Sequence, residues 1–189
     1  RCVSLEYKSG EGISYTAPFY LNLATNYDAT VTPGHDAKRG NIYDVQFRYL
    51  PFDNLSGEIN ATYLPNDPHW SPKNDDYSRW FINIYQTLSF LENDLNFRLD
   101  YSKVRNDDYT YLSDVSQKNA AITDSSLQQS FKASYDQDLY DVSLELRKYQ
   151  NMFSTSNIST YRPFAMLPQL KANTYNSYGS FYFKLKTEA

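Results

Sequence analysis

One cysteine, six glycines and eight prolines in 189 residues already narrow what this chain can be. A lone Cys2 permits neither an internal disulfide nor a cysteine-built zinc site, so it says little about redox compartment. So few glycines and prolines exclude a collagen-like or low-complexity chain. No run approaches the roughly 20 consecutive apolar residues that a membrane-spanning helix needs. The uncharged stretch Ile13–Tyr27 is interrupted by Ser14, Thr16, Pro18, Asn22 and Asn26. Basic excess is missing as well. A net charge of -4 argues against a nucleic-acid partner, because a phosphate-binding surface is normally positive. No signal-peptide pattern precedes Arg1, so the chain is expected to be either processed or a fragment of something longer.

What the chain does have is aromatic side chains, 17% of all residues, with 19 Tyr and 11 Phe. These suit a pleated, half-buried surface. Apolar and polar residues alternate with period two in about eleven segments. Tyr43, Val45, Phe47 and Tyr49 oppose Asp44, Gln46 and Arg48. Ile59, Ala61 and Tyr63 oppose Glu58, Asn60 and Thr62, and Leu95, Phe97, Leu99 and Tyr101 oppose Asn96, Arg98, Asp100 and Ser102. Tyr140, Val142, Leu144 and Leu146 oppose Asp141, Ser143, Glu145 and Arg147. The last segment sets Gly179, Phe181, Phe183 and Leu185 against Ser180, Tyr182, Lys184 and Lys186. The expected fold is all-β: an antiparallel meander of about eleven amphipathic strands.

Alternation alone also fits a soluble sandwich, with one face on a core and the other in water. Three features favour a transmembrane barrel. Runs such as Gly12–Leu23 and Arg79–Phe90 match the roughly 9–11 residues of a tilted membrane strand, whereas soluble strands peak near 5–6. Long connections (Pro65–Ser78, Arg105–Ser125, Gln150–Thr160) alternate with short ones (Pro51–Ser56, Glu92–Asp94, Asp136–Leu139, Asn173–Ser177), as barrels alternate external loops and periplasmic turns. Tyr27, Tyr43, Tyr49, Tyr63, Trp80, Phe90, Tyr101, Tyr135 and Tyr140 stand on the apolar parity near strand ends, where membrane-interface girdles sit. An odd strand count with both edges open would leave backbone groups unsatisfied in lipid. Residues 1–189 are therefore expected to be part of a larger barrel.

Chemistry-bearing constellations are sparse. Asp75 with Asp76, and Asp107 with Asp108, lack the spacing of a cation loop and read as solvated turns, so no metal is expected. His35 and His69 lie near no nucleophile elbow or metal-protease motif, so no catalysis and no cofactor are expected. Trp70 reads as a loop-packing residue. The polar parity (Asp28, Thr30, Asp44, Arg48, Glu58, Asn60, Arg98, Asp100, Glu145, Arg147) reads as a hydrophilic lumen lining, touching sugar, a plug or water alone.

Several blocks carry a family resemblance. They are APFYLNLATNYDATVTP at Ala17–Pro33, KRGNIYDVQFRYL at Lys38–Leu50 and YLPND at Tyr63–Asp67. NDDYSRW at Asn74–Trp80 and LDYSKV at Leu99–Val104 follow in order. From about Ser9 onward the chain resembles the first part of the barrel of the LptD family, the lipopolysaccharide-assembly or organic-solvent-tolerance proteins. The resemblance implies a bacterial outer-membrane barrel of about 26 strands. It also implies a periplasmic jellyroll domain, a lipoprotein plug (LptE) and a periplasmic bridge (LptA) that delivers lipopolysaccharide. The lipid is expected to leave sideways, between the first and last barrel strands, into the outer leaflet. This chain resembles only the early strands, without jellyroll or closing strands. Family prolines in the first two strands weaken that seam. Pro18 matches the second; Val3 stands where the first is expected, a departure from the pattern. Other readings of the alternation are a passive porin- or adhesin-like barrel and a soluble carbohydrate-binding module.

Overall fold

The computed structural model describes residues 3–8, 12–68, 77–90, 92, 94–105, 122–123, 126–151, 166–178 and 181–188. Expectations placed on Cys2, His69, Trp70, Asp75, Asp76, Asp107, Asp108 and Gly179 lie outside these residues. The strands are β1 (Ser4–Lys8), β2 (Gly12–Thr16), β3 (Phe19–Ala24), β4 (Tyr27–Asp36), β5 (Gly40–Phe52), β6 (Leu55–Leu64) and β7 (Arg79–Phe90). They continue as β8 (Leu95–Val104), β9 (Ile122–Thr123), β10 (Ser126–Gln137), β11 (Tyr140–Asn151), β12 (Met166–Tyr178) and β13 (Phe181–Glu188).

All belong to one antiparallel sheet in the order β1-β2-β4-β5-β6-β7-β8-β10-β11-β12-β13, with β3 beside β4 and β9 beside β10. The expected meander of eleven strands is the architecture found. Among the described residues β1 and β13 are the two ends of the sheet and do not pair with each other, so the sheet is open.

Register fixes which side chains share a face. Ala29, Phe47, Ile59, Ile84 and Tyr101 stand opposite one another in succession across β4–β8, forming one row of the apolar face. One residue along each strand, Thr30, Gln46, Asn60, Asn83 and Ser102 form a row of the other face. Since pleating sends successive side chains to opposite faces, a slip of one residue would mix the two sets.

Several expected boundaries move; the connection Pro51–Ser56 shortens to Asp53 and Asn54 between β5 and β6, and two others change more. The run Gly12–Leu23 is not one strand: β2 stops at Thr16 and β3 starts at Phe19, because Pro33, opposite Ala17, and Pro18 both lack a ladder donor. Both pieces nonetheless pair β4 on one line, Thr16 with Gly34 and Phe19 with Val31. The stretch Asn173–Ser177, expected as a turn, belongs to β12, and the reversal falls between Tyr178 and Phe181. Its run of polar residues hides a strand whose neighbours are polar too: Asn173 donates to Asp141 at 2.6 Å.

The buried cluster lies where alternation does not place one. Leu64, Phe81, Val104 and Leu127 are buried together, with Ile42 packed against them. Phe81 and Val104 sit on the polar parity of their strands, at the ends of β7 and β8 that adjoin long connections, and Ile42 sits on the polar parity of β5 beside its short turn from β4. Beside them Arg79 and Asp67 form a buried ion pair at 2.8 Å, and the Asp67 amide donates to the Tyr77 carbonyl at 3.0 Å. The connection after β6 is thus clamped at its base. Gln150 adds a second clamp: its side-chain amide accepts from the Val104 amide at 3.0 Å and donates to the Val104 carbonyl at 2.7 Å.

Candidate functional site: a two-faced wall with a weakened edge

The polar face is a hydrogen-bonded surface built strand by strand. Asp28 on β4 stands opposite Arg48 on β5, and the guanidinium donates through two nitrogens to the two carboxylate oxygens at 2.8 and 2.7 Å. This paired geometry fixes both side chains more firmly than a single contact would. Tyr20 adds a longer bond to Asp28 at 3.4 Å. Thr62 donates to Asp44 at 2.6 Å. Gln46 and Asn60 both donate to Glu58, at 3.0 and 2.8 Å, and Asn83 continues the row to Ser102 at 2.9 Å. Further along, Arg147 pairs with Glu145. Thr30 is buried opposite Gln46. Arg98 lies between Thr87 and Lys132, and Asp100 between Tyr85 and Ser130, both on this face.

The structure thus brings Asp28, Arg48, Asp44, Glu58 and Asn60 into one contiguous surface over β4–β6, with Glu145 and Arg147 a separate pair on β11. At the edge of that surface Tyr20, Asn22, Asp28, Arg48, Glu58 and Tyr85 line a concavity of about 890 Å³. Such a surface offers many neutral and paired acceptors and donors. It suits hydroxyl-rich groups and water better than an isolated strong ion.

The opposite face is apolar and open. Tyr43, Val45, Tyr63, Phe90, Tyr140, Leu146 and Leu170 are all exposed there. Tyr27 and Tyr49 flank Phe47 in a stack with ring centroids 6.3 and 5.8 Å from it. Phe97 stacks on Phe131 at 6.3 Å, and Tyr135 meets Tyr140 at 6.0 Å. Tyr43, Tyr63 and Trp80 form a row at the end that adjoins the long connection after β6. Tyr101 lies one row nearer mid-strand than Lys103, in line with Ile84. Tyr49 departs from a simple interfacial placement. Its ring lies over Gly57, where any Cβ would collide with it, and its hydroxyl reaches Gln86 at 3.0 Å. The side-chain oxygen of Gln86 thereby gains a donor.

Pro18 marks the weakened edge. The Ala17 amide donates to the Pro33 carbonyl at 2.9 Å, so residue 17 directs its backbone groups toward β4. Neighbouring residues of a strand direct theirs to opposite sides. The nitrogen of Pro18 therefore faces the β1 side, where the β1–β2 ladder has its last rung at Ser4 and Thr16. Among the described residues β3 pairs only with β4, and Phe19, Tyr20, Leu21 and Leu23 are exposed. Sequence reasoning finds Pro18 but passes over Asp67, Arg79 and the Leu64 cluster. Their signal is present but weak: apolar residues on the polar parity at strand ends, and a buried acid–base pair split by a long connection.

The profile of the family described as LPS transport system D (LptD) matches residues 77–189. The chain is 36% identical over 180 residues to the LPS-assembly protein LptD of Aeromonas hydrophila subsp. hydrophila, covering 92% of this chain and 22% of that protein. It is 35% identical over 187 residues to the LptD of Vibrio vulnificus, covering 98% and 23%. It is 32% identical over 188 residues to the LptD of Sodalis glossinidius, covering 97% and 23%. The chain spans less than a quarter of the length of these relatives. On the family profile and on relatives above 30% identity along nearly its whole length, this chain belongs to the LptD family.

Proposed function

We propose that residues 1–189 form early strands of an outer-membrane barrel that assembles lipopolysaccharide into the outer leaflet of a bacterial envelope. The observation that carries this is the two-faced register that runs from β4 to β11, shifted once between Tyr49 and Phe52 at the β5–β6 turn, within a family whose relatives are named LPS-assembly proteins. The apolar face has the open aromatic and aliphatic surface that a lipid-facing wall requires. The polar face supplies hydrogen bonds to sugar hydroxyls and water.

In this reading Asp28, Thr30, Asp44, Arg48, Glu58, Asn60, Arg98, Asp100, Glu145 and Arg147 line the lumen. Tyr27, Tyr43, Tyr49, Tyr63, Trp80, Tyr101 and Tyr135 meet lipid and its headgroups. Pro18 lies in the seam through which acyl chains pass into the bilayer. The function is transport, with no covalent step: the wall shelters the sugars while the weakened edge lets the lipid out. A plug lipoprotein (LptE) against the polar face and a periplasmic bridge (LptA) upstream complete the pathway.

Depletion of the full-length gene in its source bacterium tests the proposal. Newly made lipopolysaccharide at the cell surface should fall while precursor accumulates inside. Unchanged surface delivery would overturn it and favour a passive pore, to be read by conductance of the purified protein.

A further inference from the structure

The edge carries a second missing donor, one strand further in than Pro18. Ala17 stands opposite Pro33, since Thr16 pairs with Gly34 and Phe19 with Val31. The bond from the Ala17 amide to the Pro33 carbonyl marks this as a position where two antiparallel residues normally exchange two hydrogen bonds. Pro33 has no N–H, so the return bond to the Ala17 carbonyl cannot form. The other side of β4 is untouched. The Leu50 amide donates to the Asn26 carbonyl at 2.9 Å, which assigns the even-numbered residues of β4 to the exchanges with β5. The β4–β5 register accordingly runs without a break from Tyr27 to Asp36. Pro33 therefore weakens only the contact between β4 and the β2–β3 line.

Three further observations gather at the same crossing. Pro18, next to Ala17, removes a donor on the opposite side of that line, so adjacent residues lose ladder bonds in both directions. Gly34 admits an unusually close approach: a Cβ there would lie 2.9 Å from the Tyr15 carbonyl oxygen and 3.0 Å from Thr16 Cγ2. Beyond the crossing β2 pairs with β4 only through Tyr15 with His35 and Thr16 with Gly34, while β1 pairs with β2 through Ser4 to Lys8 and has no other neighbour among the described residues. The hairpin is held to β4 from outside the ladder by Ser14, which donates to Asp36 at 3.0 Å, and by Tyr15 stacked on His35 at 6.0 Å.

We infer that the β1–β2 hairpin is a flap, hinged where Ala17–Pro18 crosses Pro33–Gly34 and latched by Ser14–Asp36 and Tyr15–His35. Pro33 is a positioning residue of this hinge. It lowers the number of bonds that must break for the hairpin to leave β4. The use of the flap as a lipid exit rests on the function proposed above; the hinge itself does not.

Two measurements on the full-length protein separate these layers. Amide hydrogen exchange reports the hinge alone. Pro33→Ala restores the donor and should slow exchange in residues 12–16 about fivefold, the effect of one added net hydrogen bond. Asp36→Ala unlatches the hairpin and should speed it, and neither change should alter β6–β8. Equal exchange in wild type and P33A would overturn the hinge. The second measurement reports its use. Tyr15→Cys with His35→Cys places a disulfide between directly opposed residues, at a spacing that antiparallel partners satisfy. Oxidation should stop delivery of new lipopolysaccharide to the surface, and reductant should restore it. A lock that forms in full and leaves delivery unchanged would overturn the flap as exit while the exchange result stands.

Discussion

Single residues in this wall act through what their backbone or side chain cannot do, as much as through what they contact. Pro18 and Pro33 are the clearest cases, and they differ in legibility. Pro18 is visible in the sequence as a proline within an alternating run. Pro33 lies in the same block, yet its effect depends on which neighbour its nitrogen faces, and only register supplies that. Asp67 and Arg79 are a further case. Twelve residues apart in sequence, they become a buried pair only when the connection after β6 closes. Removing one partner leaves the other charge buried, which costs roughly 3–5 kcal/mol. Arg79→Met should therefore lower the thermal unfolding midpoint of the full-length barrel markedly, whereas replacing both residues with apolar ones should recover much of the loss. Gly57 and Tyr49 form a third pair. Gly57→Ala displaces the tyrosine ring, breaks its bond to Gln86 and should cost about 1–3 kcal/mol in a denaturant titration, most of it from the polar group left without a partner.

At the scale of elements, period-two alternation gives the strands, their two faces and the tight connections, because pleat and side-chain direction are local properties. It fails where tertiary context decides. The line Gly12–Leu23 is interrupted by a ladder defect, and Asn173–Ser177 is drawn into β12 by polar partners on β11. Leu64, Phe81 and Val104 occupy the polar parity of β6, β7 and β8 and are buried together with Leu127. Phe81 is almost wholly buried, so Phe81→Ala should cost about 3–5 kcal/mol of stability. The same truncation on the open apolar face, Phe90→Ala, should cost far less in the same assay, since Phe90 is exposed to the protein's surroundings.

At the scale of the whole molecule, the sheet makes sense as a piece of barrel wall. An open apolar face of this extent would drive aggregation in water, and its free edges would recruit other strands; in a closed wall within lipid both conditions are met. Family membership was legible in the sequence because the blocks between Ala17 and Val104 keep their order. The separation of polar from apolar side chains onto two faces was legible from parity. The flap was not, since it rests on which backbone groups of three adjacent strands go unpaired.

The assignment of the two faces is the claim on which the rest depends, and a cysteine-accessibility scan along β6 tests it most directly. Single cysteines at Glu58, Ile59, Asn60, Ala61 and Thr62 of the full-length protein, in intact outer membranes, would be exposed to a charged, water-soluble thiol reagent. The account predicts modification at Glu58 and Asn60 and protection at Ile59, Ala61 and Thr62, the last because its side chain is buried against Asp44. Uniform modification of all five, or protection with the opposite parity, would contradict it.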